Sequence, residues 1–90
     1  GYRIELDDIE SELRRVPGVE DAAVVHLETE STSEIVGFFT GGDLDEPGVR
    51  SQLVGRLPKY MVPKLVHRLE SIPRTDRGKT DYQALEAKCR

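Results

Sequence analysis

The stretch Ala22-Ala23-Val24-Val25-His26-Leu27 is a nearly continuous apolar run that predicts a buried strand. Because successive side chains of a strand point to opposite faces, an unbroken apolar run is expected to be covered on both faces. A second apolar run, Ile35-Val36-Gly37-Phe38-Phe39, follows a polar segment, and Gly41-Gly42 ends it. This spacing predicts an antiparallel pair of strands.

An amphipathic helix is predicted before these strands, over about residues 8–16. Its apolar stripe consists of residues three or four apart: Leu6, Ile9, Leu13 and Val16. Asp7 and Glu10 have the spacing of a capping box, in which side chains satisfy the first backbone N–H groups of a helix. The alternation of apolar and charged residues over 2–6 predicts a short strand or extended entry segment.

The second half of the chain adds a helix, a strand and a final helix. Asp45-Glu46-Pro47 is expected to open the first of these helices. Residues 65–69 predict a third core strand, and Thr80 with Gln83 has the spacing of a cap for a short last helix. The order predicts one α+β domain over residues 1–90, a small three-stranded antiparallel-type sheet with helices packed against it.

Composition limits the classes of protein to which the chain can belong. The 90 residues carry a net charge of −4, with 37% apolar and 33% charged side chains, as in a small globular domain. No apolar run approaches the roughly 20 residues needed to span a bilayer, so no membrane partner is expected. Cys89 is the only cysteine, which favours a reducing, cytoplasmic location. His26 and His67 lack metal-ligand spacing, so no metal site is predicted.

Charge is distributed unevenly along the chain. Residues 1–55 carry 4 basic and 13 acidic side chains, whereas residues 56–90 carry 9 basic and 4 acidic ones. The basic third could contact phosphates or a carboxylate, although uneven faces are also common in mixed-charge domains. Few aromatic residues lie among the basic ones, so nucleic-acid binding is not expected.

A glycine-centred loop lies within the basic third, Arg74-Thr75-Asp76-Arg77-Gly78-Lys79-Thr80-Asp81. Gly-Lys-Thr ends the phosphate-binding motif G-x-x-x-x-G-K-[ST], but that motif requires glycine where the chain has Pro73. A nucleotide-cradling loop is therefore excluded. Gly78 instead permits a tight turn, from which Lys79 presents a cation to a group bound elsewhere.

Three segments carry further motifs: residues 1–6 with Ile9-Glu10, residues 57–63, and residues 73–79 with Asp81 and Ala84-Leu85. In this order they resemble Gly-x-Arg-Ile-Glu-Leu-Gly-Glu-Ile-Glu, Leu-Pro-x-Tyr-Met-x-Pro and Pro-x-Thr-x-Asn-Gly-Lys-x-Asp-x-x-Ala-Leu. These are motifs of the C-terminal subdomain of the adenylate-forming ligases. The resemblance is closest to the amino-acid adenylation domains of nonribosomal peptide synthetases, and it spans essentially the whole chain.

The resemblance implies an enzyme that works in two steps. A carboxylic acid attacks the α-phosphate of ATP, bound with Mg²⁺, to give an acyl-adenylate and pyrophosphate. The phosphopantetheine thiol of a carrier protein, or CoA, then takes the acyl group. By this resemblance Lys79 is the catalytic residue that stabilises the first transition state. Gly78 and Arg77 are the implied nucleotide-binding neighbours, although a solvated charge is the simpler interpretation of Arg74 and Arg77.

The same resemblance assigns Gly1, Tyr2, Arg3 and Glu5 to a loop that lies beside the thiol tunnel after the small subdomain rotates. A simple surface pair of Arg3 with Glu5 is an equal alternative. A large N-terminal subdomain, with the ATP and acid pockets, and a hinge would precede Gly1 and are absent from this chain. The 90 residues alone are therefore expected to fold but not to catalyse. The implied partners are that subdomain, a peptidyl or acyl carrier protein and an accessory protein.

The sequence departs from the family pattern, and other functions stay open. Asp7 and Asp8 replace Gly-Glu, and Arg77 replaces the Asn before Gly-Lys. The ending is also similar to the Pro-x-Thr-x-Ser-Gly-Lys of acyl-CoA synthetases, which leaves the acyl group and its acceptor open. Two non-catalytic alternatives are a ferredoxin-like binding module and a protein-interaction domain, in which Lys79 is an ordinary loop lysine.

Overall fold

The computed structural model describes residues 5–89, which form three helices, three strands and one short 3₁₀ turn. The elements are, in chain order, α1 (Leu6–Arg15), β1 (Asp21–Glu28), β2 (Ser33–Thr40), α2 (Glu46–Val54), the 3₁₀ turn (Lys59–Met61), β3 (Leu65–Arg68) and α3 (Tyr82–Lys88). The predicted α+β class and the order of elements are confirmed. Within the described range, no helix is long and apolar enough to cross a membrane.

The sheet has the strand order β1-β2-β3, with β2 in the centre. β1 and β2 pair antiparallel from Asp21 opposite Thr40 to Glu28 opposite Ser33, as predicted. β3 pairs with β2 in parallel, so the expected antiparallel-type sheet is corrected to a mixed sheet. The reason lies in the connection, because α2 separates β2 from β3 and a helical crossover brings the chain back in the same direction.

Helices cover both faces of the sheet, as the apolar run in β1 predicts. On one face, α1 and α2 pack against alternate strand residues, among them Ala22, Val24 and Phe39. On the other face, α3 and Ile72 cover the intervening residues, and Leu85 of α3 is fully buried there. Full burial of a leucine or phenylalanine side chain contributes about 1.5–3 kcal/mol, so each layer adds substantially to stability.

Two glycines permit close approaches within the domain. A Cβ atom at Gly37, in the middle of β2, would lie 3.3 Å from Leu13 Cδ2, so the strand leaves space for this leucine of α1. A Cβ atom at Gly41 would lie 2.5 Å from the carbonyl oxygen of Gly18. The loop after α1 and the loop after β2 therefore pack backbone against backbone at Gly41.

The start of α2 is confirmed, with Asp45 as its N-cap, whereas α1 and α3 do not begin where the capping patterns predict. α1 begins at Leu6, which corrects the strand predicted over residues 2–6, and residues 2–4 lie outside the described range. Asp7 is therefore not an N-cap, and its charge instead complements the helix dipole from within the first turn. In α3 the N-cap is Asp81, whose carboxylate accepts a hydrogen bond from Ala84 N–H at 3.1 Å, and not Thr80.

Candidate functional site

The glycine-centred loop folds into a tight hairpin directly before α3. Its two limbs meet at an antiparallel bridge between Arg74 and Thr80. Gly78 N–H donates to the carbonyl of Thr75 at 2.9 Å, and Thr75 N–H donates to the carbonyl of Lys79 at 2.7 Å. These two bonds enclose a three-residue tip, which is the pattern of a β-hairpin with a glycine bulge.

The backbone requires glycine at position 78. The φ angle of Gly78 is +81°, in the left-handed region that residues with a Cβ atom rarely adopt. A Cβ atom there would meet nothing within 4 Å, so the requirement comes from backbone conformation and not from crowding by neighbours. The predicted tight turn is confirmed, and it places Lys79 immediately after its glycine.

The Lys79 side chain is exposed on this hairpin. Its backbone N–H and that of Arg77 each donate to Thr75 Oγ1 at 3.3 Å. Within residues 5–89, neither the Lys79 ammonium nor the Arg77 guanidinium has a hydrogen-bond or ion-pair partner. The hairpin is thus held by its own backbone and by Thr75, while both cations remain accessible to an external anion.

Arg74 holds the first limb of the hairpin to the body of the domain. Its guanidinium pairs with the carboxylate of Asp21, the first residue of β1, and donates from Nη1 to Thr80 Oγ1 at 3.0 Å. Asp21 Oδ1 also lies 3.9 Å from Arg14 Nε on α1. Arg74 is exposed, as a solvated charge would be, but its side chain also cross-links the hairpin to β1.

Glu10 holds the second limb through Tyr82, the first residue of α3. Glu10 is 5% exposed, and its Oε2 accepts hydrogen bonds from the Tyr82 hydroxyl at 2.7 Å and from Val24 N–H at 3.3 Å. Its Oε1 accepts a bond from Arg14 Nη2 at 3.2 Å. A buried carboxylate is stable only when it is paired and hydrogen-bonded, and these three donors meet that condition.

Five side chains thus form one connected set, which we call the hairpin anchor: Tyr82, Glu10, Arg14, Asp21 and Arg74. Its two ends hold the two limbs of the hairpin, and its middle lies on α1 and β1. The anchor also covers the open edge of β1, because Arg14 donates to the carbonyl of Ala22 at 3.0 Å and Glu10 accepts from Val24 N–H. Covered backbone groups cannot pair with a foreign strand.

The environment of Tyr82 keeps its hydroxyl a hydrogen-bond donor. Partial burial is the largest cause that raises the pKa of Tyr82, and the hydrogen bond to the Glu10 carboxylate adds to it, bringing the value to about 12. Both causes disfavour the phenolate. A cavity of about 320 Å³ lies beside this bond, and Glu10 and Tyr82 line it together with residues of β1.

The residues predicted beside a thiol tunnel are described only in part. Gly1, Tyr2 and Arg3 lie outside the described residues. Glu5 precedes α1 at its N-cap position, and its carbonyl accepts a hydrogen bond from Ile9 N–H at 3.2 Å. The assignment of this segment to a tunnel-side loop stays a prediction.

The histidines make separate polar contacts. His26 Nε2 lies 2.6 Å from Ser33 Oγ, and His67 Nδ1 lies 3.7 Å from a Glu46 carboxylate oxygen. In the part of the chain that the structure describes, no group of three His, Cys, Asp or Glu side chains could hold a metal ion.

Sequence reasoning misses the role of four members of the anchor: Glu10, Arg14, Asp21 and Tyr82. One signal was available for Glu10, which is four residues after Leu6 and three before Leu13, on the apolar face of α1. Asp21 and Tyr82 carry no such local signal, because their partners lie 53 and 72 positions away in the sequence.

A comparison with protein families identifies the domain family that contains this hairpin and most of its anchor. Residues 8–79 match the model of the AMP-binding enzyme C-terminal domain. The chain belongs to this family. The match begins in the first turn of α1 and ends on Lys79, so it includes Glu10 and Arg74 of the anchor but stops before Tyr82.

Individual relatives include a lipopeptide synthase and a nonribosomal peptide synthetase. The isonitrile lipopeptide synthase of Mycobacterium tuberculosis is 40% identical over 91 aligned positions, which cover 97% of this chain and 4% of that protein. The structure of a four-domain nonribosomal peptide synthetase bound to AMP and glycine is 39% identical, with a TM-score of 0.85, covering 93% of this chain and 6% of its own. ATP-bound MatB from Rhodopseudomonas palustris is 26% identical, with a TM-score of 0.87, covering 98% and 18%.

The chain thus spans only a small part of each of these relatives. The sequence resemblance to the C-terminal subdomain of the adenylate-forming ligases, and to nonribosomal peptide synthetases among them, is confirmed. Family membership favours the C-terminal domain of AMP-binding enzymes over a ferredoxin-like module.

Proposed function

We propose that this chain is the mobile C-terminal part of an ATP-dependent ligase that activates an amino acid, or another carboxylic acid, as an acyl-adenylate. The observation that carries the proposal is the exposed Lys79 ammonium, which has no partner within residues 5–89 although its hairpin is firmly anchored. A cation held in this way, in a domain of the AMP-binding family, suits a substrate bound on a second domain.

The chemistry of adenylation explains why a lysine is useful here. A carboxylate oxygen attacks the α-phosphorus of ATP, the bond from this phosphorus to the bridging oxygen breaks, and pyrophosphate leaves. Two anionic groups must approach each other, and negative charge shifts onto phosphate oxygens. The Lys79 ammonium would donate hydrogen bonds to both groups, orienting the attack and stabilising the transition state.

The neighbours of Lys79 support this role to different degrees. Gly78 sets the turn through its positive φ angle, so its contribution is conformational. Arg77 is exposed beside the glycine and would add a second positive charge toward the nucleotide phosphates. ATP, with its Mg²⁺, and the acid would be bound mainly by a large N-terminal subdomain outside this chain.

The acyl group would then pass to a thiol. We propose the phosphopantetheine of a carrier protein as acceptor, because relatives 40% and 39% identical are a lipopeptide synthase and a nonribosomal peptide synthetase. In this step the subdomain would rotate, withdrawing Lys79 and bringing residues 1–5 beside the thiol. CoA is the second candidate acceptor, since a fatty acyl CoA synthetase of Mycobacterium tuberculosis has the same fold at 28% identity, with a TM-score of 0.85.

Separate assays of the two half-reactions test the proposal in the complete enzyme that contains these residues. Lys79→Ala is expected to reduce ATP–pyrophosphate exchange by about 100-fold or more, the scale of losing one transition-state donor. Transfer of the acyl group from a preformed adenylate should stay within about twofold of wild type. Lys88→Ala, which removes another exposed lysine of the same basic third, is the matched control. Wild-type exchange by Lys79→Ala would refute the role of Lys79.

The acceptor is tested with the wild-type enzyme. Faster acyl transfer to a phosphopantetheinylated carrier protein than to CoA at equal concentrations supports the peptide-synthetase assignment. The reverse preference would favour an acyl-CoA synthetase.

A further inference from the structure

We propose that Tyr82 is a positioning residue for adenylation, whose hydroxyl bond to Glu10 fixes the limb of the hairpin that carries Lys79. This inference rests on the proposed function of Lys79. It concerns a residue outside the matched part of the family model, which ends at Lys79.

Tyr82 is the first residue after Lys79 whose side chain reaches α1, since Thr80 bonds to Arg74 and Asp81 bonds to Pro73 and caps α3. Only Thr80 and Asp81 separate the two residues. Asp81 N–H donates to the carbonyl of Pro73 at 2.8 Å, which closes the base of the hairpin, and Tyr82 then begins α3. The 2.7 Å bond from the Tyr82 hydroxyl to Glu10 therefore ties this limb to α1.

The limb that begins at Arg74 is already attached to the domain, so the attachment at Tyr82 decides how the hairpin is oriented. Arg74 connects the first limb to Asp21 at the start of β1. Arg74 also bonds to Thr80, so without Tyr82 the whole hairpin is tied to the sheet through this one arginine and can turn about it, whereas a second attachment at Tyr82 restrains that turning. Because Arg14 joins Glu10 to Asp21, both attachments end on the same rigid part of the domain.

The Tyr82 hydroxyl, and not the packing of its ring, makes the contact that attaches the hairpin to α1. The side chain is 40% exposed, so its apolar part adds less to the core than a buried residue does. The hydroxyl is the part that reaches the buried Glu10 carboxylate. Loss of this single oxygen should release the hairpin limb while leaving most of the packing of α3 in place, including the buried Leu85.

The consequence for the reaction is a loss of alignment. A displacement of about 1 Å in a reacting arrangement can cost on the order of 100-fold in rate, so a partly released hairpin is expected to cost about 10-fold. The loss should fall on adenylation alone, because the proposed thiol-transfer state does not use Lys79. It should also fall on kcat and not on the KM values, which belong to the binding pockets of the large subdomain.

The experiment compares Tyr82→Phe with Val49→Ala in the complete enzyme. Val49 is buried in α2 and lies outside the anchor, so Val49→Ala reports the effect of lower stability alone. Thermal midpoints are measured for both variants. The expected result is an approximately 10-fold lower kcat for ATP–pyrophosphate exchange in Tyr82→Phe, with unchanged KM for ATP and acid, and transfer from preformed adenylate within about twofold of wild type.

The remaining outcomes separate this inference from the proposed function. Exchange by Tyr82→Phe within twofold of wild type, while Lys79→Ala is inactive, would overturn the inference and leave the function of Lys79 intact. An equal loss in Val49→Ala, or equal losses in both half-reactions, would also overturn it, because either result indicates a general effect of stability. If Lys79→Ala itself retains wild-type exchange, the proposed function fails first.

Discussion

Replacing Glu10 by alanine should destabilise the domain far more than replacing a surface glutamate. Glu10 is 5% exposed and accepts bonds from Tyr82, Val24 and Arg14, so its loss removes the acceptor of three donors at once. The energetic cost depends on how well each donor finds water instead.

The three donors differ in this respect. The Val24 N–H lies in a buried position of β1, and a buried donor left without an acceptor costs about 1–3 kcal/mol. The 40% exposed Tyr82 can turn its hydroxyl toward solvent, so the loss of its bond costs about 1 kcal/mol. Arg14, four residues along α1, is half-exposed and can turn to solvent, so the loss of its pair with Glu10 costs about 0.5 kcal/mol. We therefore expect a total loss of about 3 kcal/mol.

Equilibrium unfolding of the 90-residue chain in urea measures this loss. With an m value of about 1 kcal/mol per molar urea for so small a domain, the midpoint should fall by about 3 M. Glu70→Ala is the matched control, because Glu70 is exposed and makes no hydrogen bond or ion pair within the described residues; its midpoint should not shift measurably. A loss below about 1 kcal/mol in Glu10→Ala would refute the reasoning, since it would mean that solvent readily replaces all three contacts.

Three further predictions test other parts of the structure. The pKa of Tyr82 is raised to about 12, so the stability that its neutral form provides is complete below pH 10 and is lost as pH rises through 12. Solvent screening of this 40% exposed side chain limits that loss to about 1 kcal/mol. In urea titrations the wild-type chain should lose more stability between pH 9 and pH 11.5 than Tyr82→Phe does, and an equal loss in both proteins would contradict the prediction. Gly41→Ala should cost about 2 kcal/mol or prevent folding, because the new Cβ atom would lie 2.5 Å from the Gly18 carbonyl, and an unchanged melting temperature would count against the close approach. Leu85→Ala should cost about 2–5 kcal/mol by calorimetry, and a loss under 1 kcal/mol would show that α3 does not complete the core.

The sequence predicts the elements of this fold well, because apolar periodicity is local information. The apolar runs of β1 and β2 predict where each strand lies and that both faces of the sheet are covered. The direction of β3 could not be predicted as securely, since it depends on how the α2 crossover packs and not on residues 65–68 themselves. The predicted caps at Asp7 and Thr80 are wrong, because both residues match a pattern whose meaning depends on where the helix begins.

The candidate site divides in the same way. The turn at Gly78 and the exposed position of Lys79 can be predicted from the sequence, because a glycine turn followed by a cation is a local arrangement and the family motif covers both positions. Tyr82 and Asp21 are not readable, because their roles depend on contacts between distant parts of the chain. A small part of the uneven charge distribution is balanced within the molecule, since Arg74 of the basic third pairs with Asp21 of the acidic part.

The 72 positions that separate Glu10 from Tyr82 also determine when this domain can be completed during synthesis. A chain made from its N-terminus presents α1, β1 and β2 before α3 exists. Until α3 emerges, Val25 and Phe38 lack the cover that Leu85 provides, and the nascent sheet exposes an apolar face that favours aggregation. Contacts between such distant residues also slow folding. The exposed apolar face is covered only when α3, which follows the Lys79 hairpin directly, has been synthesised.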